Sequence, residues 1–353
     1  MLAPGPGGPP GPGDDRSEAA VAAARAMAAV VLRPAAEATD QADDVPPSHL
    51  RALAEAGLYG VQCPGHGVSA AAAREVFEVL AGACGATFFL WVQHHAPVRL
   101  LAASPNGELA GRWLPRLCSG EVYGGVAYAH LRRPGPPAVV ASPRPGGGWS
   151  LTGEAPWATG WGSVGAMAVA ARAGERVLFV MVEAGESAYL RPSAPLRLLA
   201  MTATRTVSLT LRELEVGPED VICDVAFEDW LAQDRVMTAR PNPAVFGVAA
   251  AATGLLADRD RGAARALEQE RLDCRGQAEA ADPADIDRLV GLRAWSLDIA
   301  QRAAHALVVA TGGRAMALDH PAQRLVREVT FYAIVAQTGP LRRAVLDRLT
   351  RGP

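Results

Sequence analysis

The sequence predicts an α+β fold in three blocks: an N-terminal helical domain, a middle antiparallel β domain of barrel-like type, and a C-terminal helical bundle. Three observations carry this. Apolar residues recur at helical spacing from Ser17 to about Leu117. Near Gly120 the texture changes to short apolar runs punctuated by Pro and Gly, as in antiparallel sheets. After Ala239-Arg-Pro-Asn-Pro, long Ala-, Leu- and Arg-rich helical patterns return. Strands confined to the middle argue against alternating βαβ units. The expected boundaries are a Pro/Gly-rich disordered tail over 1–15, then 16–117, 118–238 and 239–353.

The elements follow in order. Ser17 opens an alanine-rich helix of high intrinsic propensity. Pro46-Pro47-Ser48 starts a second, with Leu50, Leu53 and Ala54 on one face and a stop at Gly57 to Gly60. Ser69 to Ala83 and Thr87 to Ala103 form a third and fourth. The strand signals are Tyr123–Tyr128, Ala138–Ala141, Trp149–Gly153, Ala166–Ala171, Val177–Val182 and Thr206–Leu211. Helices resume over Ala244–Gln269, Pro283–Thr311, Pro321–Ala336 and Pro340–Leu349. A GxGxxG occurs at Gly160–Gly165, but it lies between two strands rather than opening a helix and reads as a turn.

Composition excludes several classes. The 353 residues suffice for two or three packed subdomains, and half of them are hydrophobic. A net charge of −3 gives no electrostatic case for nucleic acid or an anionic membrane. Every cationic position is Arg, none Lys, which also rules out a Walker A loop. The five cysteines are widely spaced and include no CxxC. That pattern predicts no metal site, no disulfide framework and a reducing, cytoplasmic setting. No basic n-region precedes an apolar stretch at the start, and no apolar run reaches membrane-spanning length.

Four segments resemble the acyl-CoA dehydrogenase family of flavoproteins. They are Leu53-Ala-Glu-Ala-Gly-Leu-Tyr-Gly, Trp113-Leu-Pro-Arg-Leu-Cys-Ser-Gly-Glu leading to Tyr128-Ala129-His130, Leu151-Thr-Gly-Glu-Ala-Pro-Trp-Ala-Thr, and Thr311-Gly-Gly-Arg with the Arg324, Arg327, Glu328 group. The resemblance implies an FAD-binding oxidoreductase of the acyl-CoA dehydrogenase fold, working on the CH–CH group of a CoA- or carrier-bound acyl thioester. It implies flavin contacts at Tyr128, Ala129, Trp157, Thr159, Arg271, Gly312, Gly313, Gln337 and Thr338. A homodimer or homotetramer sharing FAD sites, with an electron-transfer or flavin-reductase partner, goes with it.

The resemblance also exposes a gap. The family's catalytic glutamate opens a Glu-Gly-Thr segment, and Ala336-Gln337-Thr338 stands in its place. The stretch Pro241 to Leu256, where some members carry the base instead, has no acidic residue. Alanine takes no proton, and losing a general base costs about 10²–10⁴-fold in rate. Flavin-dependent monooxygenases of this fold dispense with that glutamate and hydroxylate at carbon or nitrogen. His94, His95 and His130 are then the candidate catalytic side chains, since imidazole titrates near neutrality. A homologue retained only for binding is the third reading.

Overall fold

The computed structural model describes residues 12–351, with no side-chain account of 12–14 and 351. The expected tail therefore lies outside the described residues up to residue 11. Pro12 to Asp15 already belong to the first helix rather than to a disordered tail. Helix α1 (Pro12–Met27) continues through a π-helical turn at Ala28–Leu32 into α2 (Arg33–Gln41). By composition the run Asp15–Gln41 is long and apolar enough to cross a membrane. It packs along α4 (Ala70–Ala83) and puts Ala24, Ala28, Leu32 and Ala36 into the core.

Local sequence sets the helix ends. The Ser69 hydroxyl accepts from Ala72 N at the start of α4, and Asn106 does the same for Leu109 N at the start of α7 (Gly107–Ser119). Between α4 and α7 lie α5 (Gly85–Gln93) and α6 (His95–Ala102), split at His94, where a single helix was expected. Helix α3 (Pro47–Glu55) ends on Gly57 in the left-handed region at φ 69°.

One sheet of eight strands follows. Its strands are β1 (Gly124–Ala127), β2 (Val139–Pro143), β3 (Trp149–Ala158), β4 (Ala166–Ala173), β5 (Arg176–Glu183), β6 (Leu190–Pro192), β7 (Val207–Val216) and β8 (Val221–Ala226). The order is β6-β7-β3-β2-β4-β5-β8, with β1 also on β4. Most pairings are antiparallel, but β1 and β2 both meet β4 in parallel, a departure from the all-antiparallel expectation. The run that became β6 is three residues long, and that of β8 is short and interrupted by Asp224, so sequence periodicity misses them. The GxGxxG is the turn between β3 and β4.

Helices resume at Phe227. They are α8 (Phe227–Ala239), α9 (Pro243–Ala257), α10 (Arg261–Ala280), α11 (Ile286–Thr311), α12 (Pro321–Tyr332) and α13 (Gly339–Arg351). The expected unbroken helix over 244–269 is two, because Asp260 caps a new start by accepting from Ala263 N. Helix α9 docks on α4 through a glycine pair. A Cβ on Gly247 would lie 2.0 Å from the Glu78 carbonyl, and one on Gly82 2.5 Å from the Gly247 carbonyl. That close approach ties the N-terminal helices to the C-terminal bundle.

One expectation is overturned outright. Cys63, in the turn after α3, and Cys118, in the last turn of α7, are joined by a disulfide across 55 residues of sequence, with Cα atoms 5.9 Å apart. Nothing in the spacing signals it, because the fold alone brings the two together. Cys84, Cys223 and Cys274 are free thiols.

Candidate functional site

A cleft of about 730 Å³ opens between the N-terminal helices and the bundle. Its apolar wall includes Phe77 of α4 and Phe88, Phe89 and Val92 of α5. The opposite wall is Thr238 at the end of α8, the Pro241-Asn242-Pro243 entry to α9, Arg293 of α11, and Tyr332, Val335 and Ala336 beyond α12. Ala336, the position where the resemblance expects a glutamate, thus lines the cleft. Its backbone sits in the left-handed region at φ 46°, strained for a non-glycine residue. Among the lining residues there is no Asp, Glu or His.

Arg293 is the cleft residue that sequence reading missed. It is buried in α11, and burial lowers its pKa to about 10. Its guanidinium donates to the Thr238 carbonyl and, at 2.6 Å, to the Val335 carbonyl. Among the described residues no carboxylate pairs with it, and the nearby Asp234 is committed to Arg132 at 2.6 Å. A buried cation that meets only neutral acceptors retains charge to offer an anion. The signal was a lone Arg on a helical stripe that otherwise runs Leu289, Leu292, Ser296, Leu297, Ala300, all buried.

The candidate histidines are buried and none lines the cleft. His94 Nδ1 accepts from Gly124 N at 2.9 Å, tying the α5–α6 break to β1, and its ring stands edge-on to Tyr59 at 4.6 Å. Burial lowers its pKa to about 3. His95 lies one layer behind the wall, stacked on Phe77 at 5.4 Å and edge-on to Trp91 at 4.5 Å. Neither of its ring nitrogens finds a protein partner, and burial drives its pKa well down. His130 lines a separate cavity of about 300 Å³ together with Arg132, Arg133 and Arg172. Burial lowers its pKa to about 4. All three imidazoles are held neutral by desolvation.

The expected flavin contacts are scattered through this chain, some exposed and some buried. Trp157 sits at the β3–β7 register shift between Ala155 and Ala158, with φ 62° and its side chain 44% exposed. An indole presented on strained backbone suits a planar ligand. Two residues on, the Thr159 hydroxyl is buried and bonds Thr206 Oγ1 at 3.1 Å, which in turn meets Thr204 Oγ1 at 3.2 Å. Tyr128 packs edge-on to Phe179 at 5.7 Å, and Ala129 follows it into a short helical turn. Gly312 ends α11 at φ 72°, and a Cβ on Gly312 or Gly313 would meet open space. Gln337 and Thr338 form the turn into α13, where Gln337 accepts from Arg342 at 3.0 Å and Thr338 from Leu341 N at 3.4 Å.

Arg271 lines a second large cavity, of about 820 Å³, between α1, α4, α9 and α10. Its guanidinium is held by Glu268 at 2.6 and 2.8 Å. Arg324, from the same cavity, bonds Glu328 at 2.7 Å and Glu37 at 3.1 Å, and Arg327 pairs with Asp40. Glu328 Oε1 also accepts from Gly85 N at 3.2 Å, so this buried group clamps α12 to α2 and α5. The salt-bridged helix face read from Arg324, Arg327 and Glu328 is thus an internal brace.

Comparisons with known proteins agree with the architecture. Residues 14–121 match the family model of the acyl-CoA dehydrogenase N-terminal domain. No curated protein matches the chain in sequence. Among solved structures, butyryl-CoA dehydrogenase from Megasphaera elsdenii is 14% identical with a TM-score of 0.78, covering 95% of this chain and 98% of that one. Glutaryl-coenzyme A dehydrogenase in its glutaryl-CoA complex is 16% identical with a TM-score of 0.79, over 96% and 95%. FMN-bound TdsC, a dibenzothiophene monooxygenase from Paenibacillus sp. A11-2, is 16% identical with a TM-score of 0.76, over 95% and 98%. Residues 14–121 thus resemble the N-terminal domain of the acyl-CoA dehydrogenases, and the chain shares the fold of these enzymes over nearly its whole length.

Proposed function

We propose that the chain is a flavin-dependent oxidoreductase whose reaction uses no carboxylate base: a monooxygenase acting on a largely apolar substrate in the cleft. The observation that carries this is the cleft itself, lined by Phe77, Phe88 and Phe89 but by no Asp, Glu or His, with Ala336 where a base would stand. Flavin, when bound, supplies the redox chemistry. The exposed Trp157 indole and the Thr159 hydroxyl are the residues that would hold its ring. Gly312, Gly313, Gln337 and Thr338 offer open backbone and polar groups to the rest of the cofactor, from this subunit or a neighbour. Tyr128 and Ala129, just after β1, belong to the same reading. Arg271 contributes less, since Glu268 already neutralises it.

Each cleft residue then has a physical task. The phenyl rings exclude water and bury apolar substrate surface. Arg293 attracts a negative or strongly polarised oxygen. No lining side chain removes a carbon-bound proton. A soluble cytoplasmic homodimer or homotetramer supplied by a flavin-reductase partner completes the reading.

A second reading is favoured by one observation. Arg74, Arg99 and Arg240 lie along the cleft, and cations of this kind suit the phosphates of a CoA thioester. On that reading FAD accepts hydride from the CH–CH group, electrons leave through an electron-transfer partner, and the proton goes to a base that this chain does not place in the cleft.

One experiment separates the readings. Protein reconstituted with FAD or FMN is titrated anaerobically with acyl-CoAs, and in parallel mixed with reduced flavin, O₂ and indole as an apolar probe. Oxygenated probe with no bleaching by acyl-CoA is the expected result. Bleaching by an acyl-CoA would replace the monooxygenase reading with the dehydrogenase one. Failure to bind either flavin would leave a non-catalytic homologue.

A further inference from the structure

We propose that Cys63, Cys118 and His66 form a redox-gated zinc site at the edge of the cleft. In the disulfide state, the two sulfurs and an imidazole nitrogen of His66 already lie within 4.8 Å of one another. Two thiolates and one imidazole are a donor set that Zn²⁺ takes with tetrahedral geometry, leaving one position for water. The three come from two places: Cys63 and His66 from the segment that follows α3, Cys118 from the last turn of α7.

The backbone makes room for the imidazole. A Cβ on Gly60 would lie 2.5 Å from His66 Nδ1 and 3.0 Å from its Cε1, and 3.5 Å from the Cys118 carbonyl oxygen. Only glycine at position 60 lets the ring lie against this segment, beside the two sulfurs. Cys63 is buried, Cys118 half-buried and His66 exposed, so metal and reductant approach from the His66 side.

Disulfide and metal exclude each other, because a sulfur bonded to sulfur has no thiolate to give. A dithiol reductant donates two electrons and two protons to the Cys63–Cys118 bond and becomes a disulfide itself. The two freed thiols then release two protons as Zn²⁺ binds them. A disulfide oxidant reverses the sequence and expels the metal. The consequence reaches the cleft because Cys63 and Pro64 line it. Oxidation pins that wall to α7, and metal binding pins it in a different geometry. None of this depends on which reaction the cleft performs.

Co²⁺ provides the test, since thiolate ligation gives a charge-transfer band in the near ultraviolet. Full-length protein is reduced with dithiothreitol, desalted anaerobically and titrated with Co²⁺, then with Zn²⁺ in competition with a chromogenic chelator. One equivalent of Co²⁺ should bind with the thiolate band and be displaced by Zn²⁺. Protein oxidised with a disulfide should bind none. Cys118→Ser should lose the band, and His66→Ala should weaken Zn²⁺ binding at least about tenfold. His66 is exposed, so its variant tests ligation without disturbing the core, and a circular-dichroism melt of each variant confirms folding. Reduced protein that shows no thiolate–cobalt band would overturn the proposal. So would a Cys118→Ser variant that keeps the band, or a His66→Ala variant with unchanged affinity.

Discussion

Two arginine-bearing cavities of similar size flank α4, and they treat charge in opposite ways. In the cavity of about 820 Å³, four of the five lining arginines face a glutamate: Arg25 with Glu75, Arg271 with Glu268, Arg275 with Glu78, Arg324 with Glu37 and Glu328. In the cleft of about 730 Å³, Arg293 is buried and meets only carbonyl oxygens, while Arg99 bonds the neutral Gln62 at 2.5 Å. An arginine whose charge is cancelled within the fold serves as a strut. One left uncompensated at the floor of an apolar cleft is available to a ligand. Arginine content alone does not separate the two cases; the carboxylates around it do.

The largest effect expected from this contrast lies in the compensated cavity. Glu328→Ala removes the acceptor shared by Arg324 and Gly85 N and leaves a buried guanidinium with only Glu37. Unfolding in urea should show a loss of about 3–5 kcal/mol. A loss below about 1 kcal/mol would mean the brace is incidental.

Arg293→Met probes the opposite side. Two backbone carbonyls lose their donor, for a cost of about 1–3 kcal/mol. If the comparison is sound, ligand affinity in the cleft falls as well, by at least about tenfold, a change of roughly 1.4 kcal/mol. Destabilisation with unchanged affinity would reduce Arg293 to a second strut.

A further effect should appear with pH. The His94 and His130 pKa values are lowered by burial, to about 3 and about 4, from 6.5. The unfolded chain therefore binds protons first, near pH 6.5, and the folded state resists. Their contribution to stability is fully present above about pH 6.5 and declines as pH falls toward the folded values. Urea midpoints should drop progressively from pH 7 to pH 4. His130→Gln should flatten that dependence, and an unaltered profile would show that His130 titrates freely.

These expectations separate what the sequence could show from what it could not. Block order, helix starts at Ser69 and Pro47, and the turn at Gly160–Gly165 were legible, because each rests on local propensity and capping chemistry. Resemblance to a known segment singles out Ala336 as the position of the expected glutamate, and the structure puts that residue on the cleft wall. Arg293 and the Cys63–Cys118 bond were not, since each acquires its meaning from partners 42 to 55 residues distant in the chain. The histidine pair shows another case. The sequence makes His94 and His95 catalytic candidates, and only tertiary packing reveals that both are buried and that Phe77 stands between His95 and the cleft.

The smallest effect concerns Ala336 itself. Holding a non-glycine residue at φ 46° costs about 1–2 kcal/mol, of which glycine would escape most. Glycine's greater freedom in the unfolded chain offsets about 0.5–1 kcal/mol of that gain. Ala336→Gly should therefore stabilise the protein by about 0.5–1 kcal/mol in chemical denaturation. Ala336→Glu bears the same backbone strain as alanine and, lining an open cleft near the Arg293 contact at Val335, should change stability by no more than about 0.5 kcal/mol. If glycine stabilises and glutamate is neutral, the fold itself does not forbid a carboxylate at this position, and its absence belongs to the chemistry of the cleft. If glutamate destabilises by several kcal/mol, packing around residue 336 excludes the base, and the lack of a carboxylate in the cleft says nothing about the reaction.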